Sequence, residues 1–162
     1  MFIDTDMFPF AKEIASEWKV MRDEFLELPG ARHLPWHQHD LYSGDWDVFG
    51  LYHQGDQFTE NCKAVPETTR LVESVVGLRT AGFSILRPDT FIKPHVGYGD
   101  GVYRMHLGLI TPPEKLRCCL QIGDQVSPWR DGGVTIFDDT SEHQAWNYSN
   151  VDRVILLLDF AK

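Results

Sequence analysis

Two histidines lie in stretches whose residue types could bind a metal. His95 follows a proline in residues 91–97 (FIKPHVG), and His143 lies in residues 137–147 (FDDTSEHQAWN). Neutral imidazole is the commonest metal ligand, and two imidazoles that leave coordination positions open suit an Fe(II) that also binds a co-substrate and O2. A structural zinc site would need four closed ligands, and the cysteines do not stand at ligand spacing. The two histidines therefore predict an iron site.

Arg153 is a candidate anion-binding residue in the same half of the chain. It follows His143 by ten residues, across a turn at residues 149–150, so the next antiparallel strand can bring it to the same site. A buried arginine is costly unless it meets an anion, and its planar fork suits a dicarboxylate. The alternative is a surface ion pair between Arg153 and either Asp152 or Asp159.

Arg104 and His106 are further candidates on a neighbouring strand. They are two residues apart, so they share one face of an otherwise apolar strand. Gly108 continues that face and is small enough to leave room for a ligand. Together with Arg153, these residues predict a pocket for an oxo-acid that chelates the metal.

A second histidine cluster offers a competing metal site. His37, His39 and Asp40 stand close together, and an HxH motif with an acid can ligate zinc. Pro35 and Gly44 in the same segment favour a solvated loop over residues 31–45. The corresponding alternative function is a zinc hydrolase that uses the two loop histidines with His143.

Helical periodicity is confined to the first half of the chain. Apolar residues at three- and four-residue spacing predict a helix from about Ala11 to Leu28, packed on the outside of a sheet. Residues 46–52 alternate as a strand, and residues 61–66 are expected to form a loop. Pro66 then begins a second predicted helix, from Glu67 to about Val76.

From residue 80 onwards the apolar pattern changes to a period of two. The predicted strands are 83–86, 90–95, 102–110, 117–122, 133–137, 143–147 and 151–160. Turns rich in Pro, Gly and Asp separate them, which indicates an antiparallel sandwich or barrel. We expect residues 1–162 to form one mainly β domain with flanking helices.

The composition narrows the range of partners and locations. The chain has 43% hydrophobic residues, a formal net charge of −9 and no run of Lys or Arg. Such a surface repels phosphate, so we expect neither nucleic acid nor anionic membrane as a partner. The N-terminus lacks a basic signal-peptide region, and three cysteines form no disulfide framework. These features predict a cytoplasmic protein and leave its oligomeric state open.

The ordered set of motifs resembles the aspartyl/asparaginyl β-hydroxylase family of Fe(II)/2-oxoglutarate dioxygenases. The resemblance covers nearly the whole chain and is strongest in residues 94–97 (PHVG), 104–109 (RMHLGL) and 137–147, and at Arg153. Each motif is weak by itself, whereas the set at these spacings is specific.

The resemblance implies a double-stranded β-helix, a jelly-roll or cupin-like barrel, with helices packed on one face. The implied roles are as follows: His95 and His143 bind iron, Ser84 and Arg153 hold the distal carboxylate of 2-oxoglutarate, and Arg104 and His106 lie near its other end and near the substrate. His95, His143 and Arg104 are the predicted catalytic residues.

The sequence departs from the usual His-x-Asp/Glu…His iron triad at Gly97. This glycine is typical of the family, in which water takes the place of the carboxylate. Asp100 is close enough in sequence to reach that water or the metal. Asp138 and Asp139 are expected to hold the loop before His143 rather than to bind metal.

The implied reaction is hydroxylation of an aspartyl or asparaginyl residue, or of a related small molecule, with succinate and CO2 as co-products. Relatives that act on acidic substrates can carry Lys where Gly82 stands and Arg where Val102 stands. Fewer positive charges near the iron predict a less acidic substrate. The alternative is a cupin-like module that binds metal or ligand without turnover.

Overall fold

The structure, a computed structural model, describes residues 1–98 and 101–162, and these contain four α-helices and thirteen β-strands. The helices are α1 (Pro9–Ser16), α2 (Trp18–Glu27), α3 (Thr59–Ala64) and α4 (Pro66–Glu73). The strands are β1 (Phe2–Ile3), β2 (Leu34–Pro35), β3 (Tyr42–Ser43), β4 (Trp46–His53), β5 (Asp56–Gln57), β6 (Leu78–Leu86), β7 (Thr90–His95), β8 (Val102–Ile110), β9 (Cys118–Ile122), β10 (Gln125–Pro128), β11 (Val134–Phe137), β12 (His143–Asn147) and β13 (Arg153–Ala161).

The described strands form two antiparallel sheets. The larger has the order β1-β11-β8-β13-β6-β4-β2, with β5 paired to β4. The smaller has the order β10-β9-β12-β7-β3. Strands that are adjacent in a sheet are often far apart in sequence, which is the connectivity of a jelly roll. The predicted mainly β fold with flanking helices is confirmed.

Side chains of the large sheet alternate between two apolar cores. On β13, Leu156 and Leu158 face the helices, whereas Ile155 and Leu157 face the small sheet. We call the first cluster the outer core and the second the inner core. The outer core consists of Ala11, Ile14, Met21, Phe25, Phe49, Leu51, Cys62, Val65, Leu71, Val72, Val75, Ala81, Phe83, Ile85, Met105, Leu107, Leu109, Ile136, Val154, Leu156, Leu158 and Phe160. The inner core consists of Trp46, Leu86, Ile92, Cys118, Leu120, Ile122, Trp129, Phe137, Ala145, Ile155 and Leu157.

The predicted first helix is present but divided. Glu17 separates α1 from α2 with φ −101° and ψ 15°, outside the helical range. Both halves still place apolar residues in the outer core. The carboxylate of Glu24 on α2 accepts hydrogen bonds from the backbone N–H groups of Glu67 and Thr68. It thereby caps α4, which has no side-chain cap of its own at Val65.

The expectation of a loop over residues 61–66 is wrong. Residues 59–64 form α3, and the Cys62 amide donates to the Phe58 carbonyl at 2.9 Å. This helix has six residues, too few for an apolar stripe to repeat, and burial of Cys62 stabilises it from outside. Strand β10 was also absent from the sequence prediction, because it is a largely polar edge strand ending at Pro128.

Among the described residues, no helix is long and apolar enough to cross a membrane.

Candidate active site

The two predicted metal ligands face each other on neighbouring strands. His95 on β7 and His143 on β12 are direct partners in the antiparallel pairing, and their ring centroids are 4.3 Å apart. The Nδ1 atom of each ring lies 2.8 Å from a backbone carbonyl, that of Lys93 and that of Ser141 respectively. A carbonyl can only accept, so both Nδ1 atoms carry the proton and both Nε2 atoms keep a free lone pair. Metal-binding histidines commonly donate their other ring N–H to a carbonyl in this way, which fixes the tautomer and the orientation of the ring.

The environment of His143 keeps it neutral. Burial lowers the pKa of His143 to about 4, although the hydrogen bond with the Ser141 carbonyl acts in the opposite direction. Metal ions bind only the neutral imidazole, so this histidine can ligate a metal without first releasing a proton at neutral pH.

A carboxylate from another part of the chain fills the space beside Gly97. A Cβ atom at Gly97 would collide with the Asp139 carboxylate, and the Gly97 N–H donates to the Asp139 carbonyl at 2.8 Å. Asp139 is fully buried, and neither of its carboxylate oxygens has a hydrogen-bond partner among the described residues. Its Oδ1 atom lies 3.6 Å from His143 Nε2. The acid is therefore held at the side of the histidine pair that the glycine leaves open.

The neighbouring acids have different roles. Asp138 holds the loop as expected: it accepts hydrogen bonds from Lys162 and Thr140, which lower its pKa to about 2. Asp139 differs from the expectation, because it points into the site. Burial raises the pKa of Asp139, whereas the charge of Arg104 lowers it, and burial has the larger effect. Asp100 lies outside the described residues.

The metal-binding atoms of the site fit a metal ion that keeps coordination positions open for other molecules. In residues 1–98 and 101–162, no group of three or more His, Cys, Asp or Glu side chains is arranged to hold a metal ion. The structure therefore offers the two Nε2 atoms of His95 and His143, and next to them the Asp139 carboxylate, which accepts no hydrogen bond from the described residues. Two nitrogen ligands leave coordination positions for other molecules, unlike the closed four-ligand set of structural zinc.

Arg153 is buried at the floor of the site and pairs with no carboxylate of the described residues. Only 2% of it is exposed, its Nη2 donates to Ser84 Oγ at 3.1 Å, and its Nε has no partner in the described residues. The guanidinium carbon lies 4.4 Å from the centroid of the Trp129 ring. Burial lowers the pKa of Arg153 to about 10, so it still carries its charge at neutral pH.

The surface-pair alternative for Arg153 does not occur. Asp152 pairs with Arg87 at 2.7 Å, and Asp159 pairs with Arg104 at 2.7 Å. Arg153 is thus a buried cation whose charge has no counterion in the described chain. A buried charge of this kind is expensive, and an anionic ligand would relieve that cost.

Ser84 and His106 supply further donors around Arg153. Ser84 Oγ accepts from Trp46 Nε1 at 2.9 Å and from Arg153, so its own O–H can donate to a ligand. His106 Nδ1 accepts from Trp129 Nε1 at 3.3 Å, which places its proton on Nε2. Burial and the charge of Arg153 lower the pKa of His106 well below its ordinary value, so it is a neutral donor.

Arg104 does not present a free guanidinium. It makes two hydrogen bonds with the Asp159 carboxylate, from Nε at 2.7 Å and from Nη2 at 2.8 Å. Its Nη1 lies 2.8 Å from Asp139 Oδ1, close enough for an ion pair but not aligned for a hydrogen bond. Burial would lower the pKa of Arg104, but the hydrogen bonds and charge of Asp159 raise it above the usual value.

Two adjoining cavities contain these groups. A small inner cavity between the sheets is lined by all six predicted site residues: Ser84, His95, Arg104, His106, His143 and Arg153. A larger outer cavity of about 810 Å³ opens beside it. The two share Trp46, Ser84, His95, Arg104 and Leu157 in their walls, so the histidine pair stands where they meet.

Some expectations were not met. Gly108 makes no room for a ligand, because a Cβ there would collide with the backbone oxygen of Arg130. His37 and His39 do not join His143: His37 contacts Tyr98, and His39 contacts Tyr42. The sequence reasoning also missed Trp129, which contacts both Arg153 and His106. A tryptophan after a polar edge strand carried no signal of that role.

Comparison with known proteins gives the family. The family model described as aspartyl/asparaginyl beta-hydroxylase matches residues 15–162. The chain belongs to this family.

Two relatives show that members of this family carry names for different substrates. An ornithine lipid ester-linked acyl 2-hydroxylase from Rhizobium tropici is 36% identical over 98% of this chain and 59% of its own length. The aspartyl/asparaginyl beta-hydroxylase of Homo sapiens is 34% identical over 96% of this chain and 21% of its own. The chain therefore spans less than two thirds of either relative.

Solved structures bear out the barrel fold. An oxidoreductase of the 2OG-Fe(II) oxygenase family from Burkholderia pseudomallei matches with a TM-score of 0.59 at 12% identity, over 86% of this chain and 76% of its own. A prolyl-4-hydroxylase from Pseudomonas putida matches with a TM-score of 0.56 at 15% identity, over 99% and 89%. At these identities the similarity concerns the fold, and the predicted double-stranded β-helix is confirmed.

Proposed function

We propose that this chain is an Fe(II)/2-oxoglutarate-dependent hydroxylase. The observation that carries the proposal is the combination of two groups in one cavity. Within residues 1–98 and 101–162, the His95–His143 pair has both Nε2 lone pairs available, and the buried guanidinium of Arg153 has no carboxylate partner. A metal with open positions and a dicarboxylate that also chelates it would satisfy both groups.

Each residue then has a defined task. His95 and His143 would hold Fe(II), and Asp139 would accept hydrogen bonds from water on the metal at the position that Gly97 leaves open. Arg153 and the Ser84 hydroxyl would bind the distal carboxylate of 2-oxoglutarate. His106, with its proton on Nε2, would donate to the chelating end.

Bound iron and 2-oxoglutarate would together supply oxidising power from O2. One oxygen atom would enter the substrate as a hydroxyl, and the other would enter succinate as CO2 is lost. The residues of the chain would orient the co-substrate and keep bulk water from the reacting atoms. The walls provided by Trp46, Trp129 and Phe137 suit that second task, because their rings line the inner cavity.

The substrate would occupy the outer cavity, which adjoins the histidine pair. Its volume accommodates a small molecule or the side chain of a peptide. An aspartyl or asparaginyl residue and a related small molecule are both candidates, since the two relatives carry names for different substrates.

The decisive experiment measures succinate and metal together. Anaerobic protein is loaded with Fe(II) and 2-oxoglutarate and then exposed to O2, with and without candidate substrates. We expect one Fe(II) per chain and succinate release that a substrate accelerates. His143→Ala should abolish both, whereas the double variant His37→Ala/His39→Ala should keep the metal and so exclude the loop-histidine zinc site.

The same experiment tests the alternative function. A cupin-like binding module would bind Fe(II) or 2-oxoglutarate and release no succinate with any substrate. Absence of iron binding in the unaltered protein would contradict the hydroxylase, and absence of both iron and 2-oxoglutarate binding would contradict both functions.

A further inference from the structure

The charged side chains beside the histidine pair do not favour the binding of acidic groups. Arg104 is the arginine that lines both cavities, and Asp159 occupies its Nε and Nη2 atoms. Asp139 faces its remaining Nη1 atom. One guanidinium thus faces two carboxylates, so these three groups carry a net charge of −1 when all are ionised.

Two described residues of the wall near this triad carry no charge. Gly82 and Val102 line the outer cavity on strands of the same sheet as Arg104 and Asp159. Neither residue has a side chain that can carry a positive charge or donate a hydrogen bond. Among the described lining residues, the other arginines of the outer cavity are Arg32, which donates to Asn61 Oδ1, and Arg79, which is exposed at the start of β6.

Four large apolar side chains lie at the rim of the outer cavity, among exposed polar residues such as His53 and Gln54. Leu34, Phe58, Val96 and Tyr98 line it and are among the large hydrophobic side chains that the chain leaves exposed, at 64%, 47%, 61% and 64%. Exposed apolar residues that converge on one cavity indicate a binding surface rather than scattered surface positions. An apolar group of the substrate would remove them from water.

We propose that Asp159 is a specificity-determining residue: by occupying Arg104 it makes the site select a substrate whose reacting segment carries no carboxylate and whose flanks are apolar. This inference rests on the proposed function for the identity of the reacting position. A carboxylate placed there would lose its hydration and meet Asp159 and Asp139, with the Arg104 guanidinium already engaged by both acids, which is unfavourable. An amide or an alkyl segment carries no such penalty.

Matched probes test the charge preference directly. Acetyl-leucyl-asparaginyl-leucinamide and its aspartyl counterpart have the same shape and differ by one charge. Binding is measured calorimetrically on metal-free protein and on protein loaded with Zn(II) and 2-oxoglutarate, where no turnover occurs. We expect the asparaginyl probe to bind at least about tenfold more tightly, which corresponds to roughly 1.4 kcal/mol.

Variants assign the preference to Asp159. Asp159→Asn should bring the two affinities within about threefold, because Arg104 becomes available to the carboxylate. Asp152→Asn is the matched control: it removes one carboxylate, paired with Arg87 and outside both cavities, and should leave the ratio unchanged. If Asp159→Asn does not fold, Val102→Arg supplies a new guanidinium at the cavity wall and should strengthen aspartyl binding.

A third probe tests the apolar rim. Replacing both leucyl groups by glycyl groups should weaken binding of the asparaginyl probe by about tenfold or more. The proposal is overturned if the unaltered protein binds the aspartyl probe as tightly as the asparaginyl one, if the variants leave the ratio unchanged, or if the asparaginyl probe does not bind. A charge preference in a protein that releases no succinate would instead refute the proposed function alone.

Discussion

The two cores of this protein share the large sheet but differ in chemistry. The outer core, between the sheet and the helices, is built almost entirely of apolar side chains. The inner core lies between the sheets, where apolar residues surround Arg153, His106, His143 and Asp139. Strand β13 contributes to both, since alternate residues point to opposite faces.

This difference indicates that the outer core mainly stabilises the fold and that the inner core mainly binds ligands. Buried polar groups in proteins normally have hydrogen-bond partners. Among the described residues, three of the four buried side-chain atoms that lack one, Arg153 Nε and both Asp139 oxygens, line the two cavities, and the fourth, His33 Nε2, lies beside Phe25. Such groups cost free energy unless a ligand completes them. The outer core must therefore stabilise the fold while the inner core stays prepared for ligands. Three predictions test this division.

The largest effect on stability should come from the outer core. Leu158 is fully buried there, and Leu158→Ala should lower the free energy of unfolding by about 2–5 kcal/mol through lost burial and a cavity. Leu157→Ala, the adjacent residue on the opposite face, should cost less, because Leu157 already borders both cavities. Denaturant unfolding of both variants measures the contrast. Equal losses would show that the two cores do not differ in this way.

Arg153 should affect ligand binding and stability in opposite directions. Arg153→Met removes the cation for the distal carboxylate and should weaken 2-oxoglutarate binding by about 3 kcal/mol. The same change removes an unpaired buried charge, so the ligand-free protein should become more stable by about 1 kcal/mol or more. Calorimetric titration and denaturant unfolding give the two values.

Arg87 provides the control for that prediction. Its guanidinium pairs with Asp47 and Asp152 outside both cavities, so Arg87→Met should destabilise the fold and leave 2-oxoglutarate affinity unchanged. A weakening of less than about threefold for Arg153→Met would place the co-substrate elsewhere.

The most gradual effect concerns pH. The pKa of His143 is about 4 in the folded state and near 6.5 when unfolded. Between these values the unfolded state binds the extra proton, so the metal-free protein loses stability as pH falls through this window, by at most about 1.4 kcal/mol per unit. The difference between the unaltered protein and His143→Gln isolates this contribution from those of His106 and Asp139. A pH-independent difference would mean that His143 is not buried in its neutral form.

Local pattern was sufficient for most of the fold. The period-two alternation in residues 90–95, 102–110 and 143–147 coincides with β7, β8 and β12. Alternation also predicted that Arg104 and His106 share a face. It could not predict α3 or β10, because a six-residue helix and a polar edge strand are stabilised by neighbours rather than by their own pattern. Cytoplasmic location stays a prediction.

By itself, the sequence determined the family, the barrel and six of the residues that line the inner cavity. It did so because strand periodicity and motif order are properties of the chain alone. The tertiary structure decided which charges neutralise one another. Arg104 and Asp159 are 55 residues apart, and Asp139 fills the space beside Gly97 from another loop. Ion pairs depend on strand register and burial, so only the folded barrel shows that Arg153 is left without a counterion while Arg104 has two.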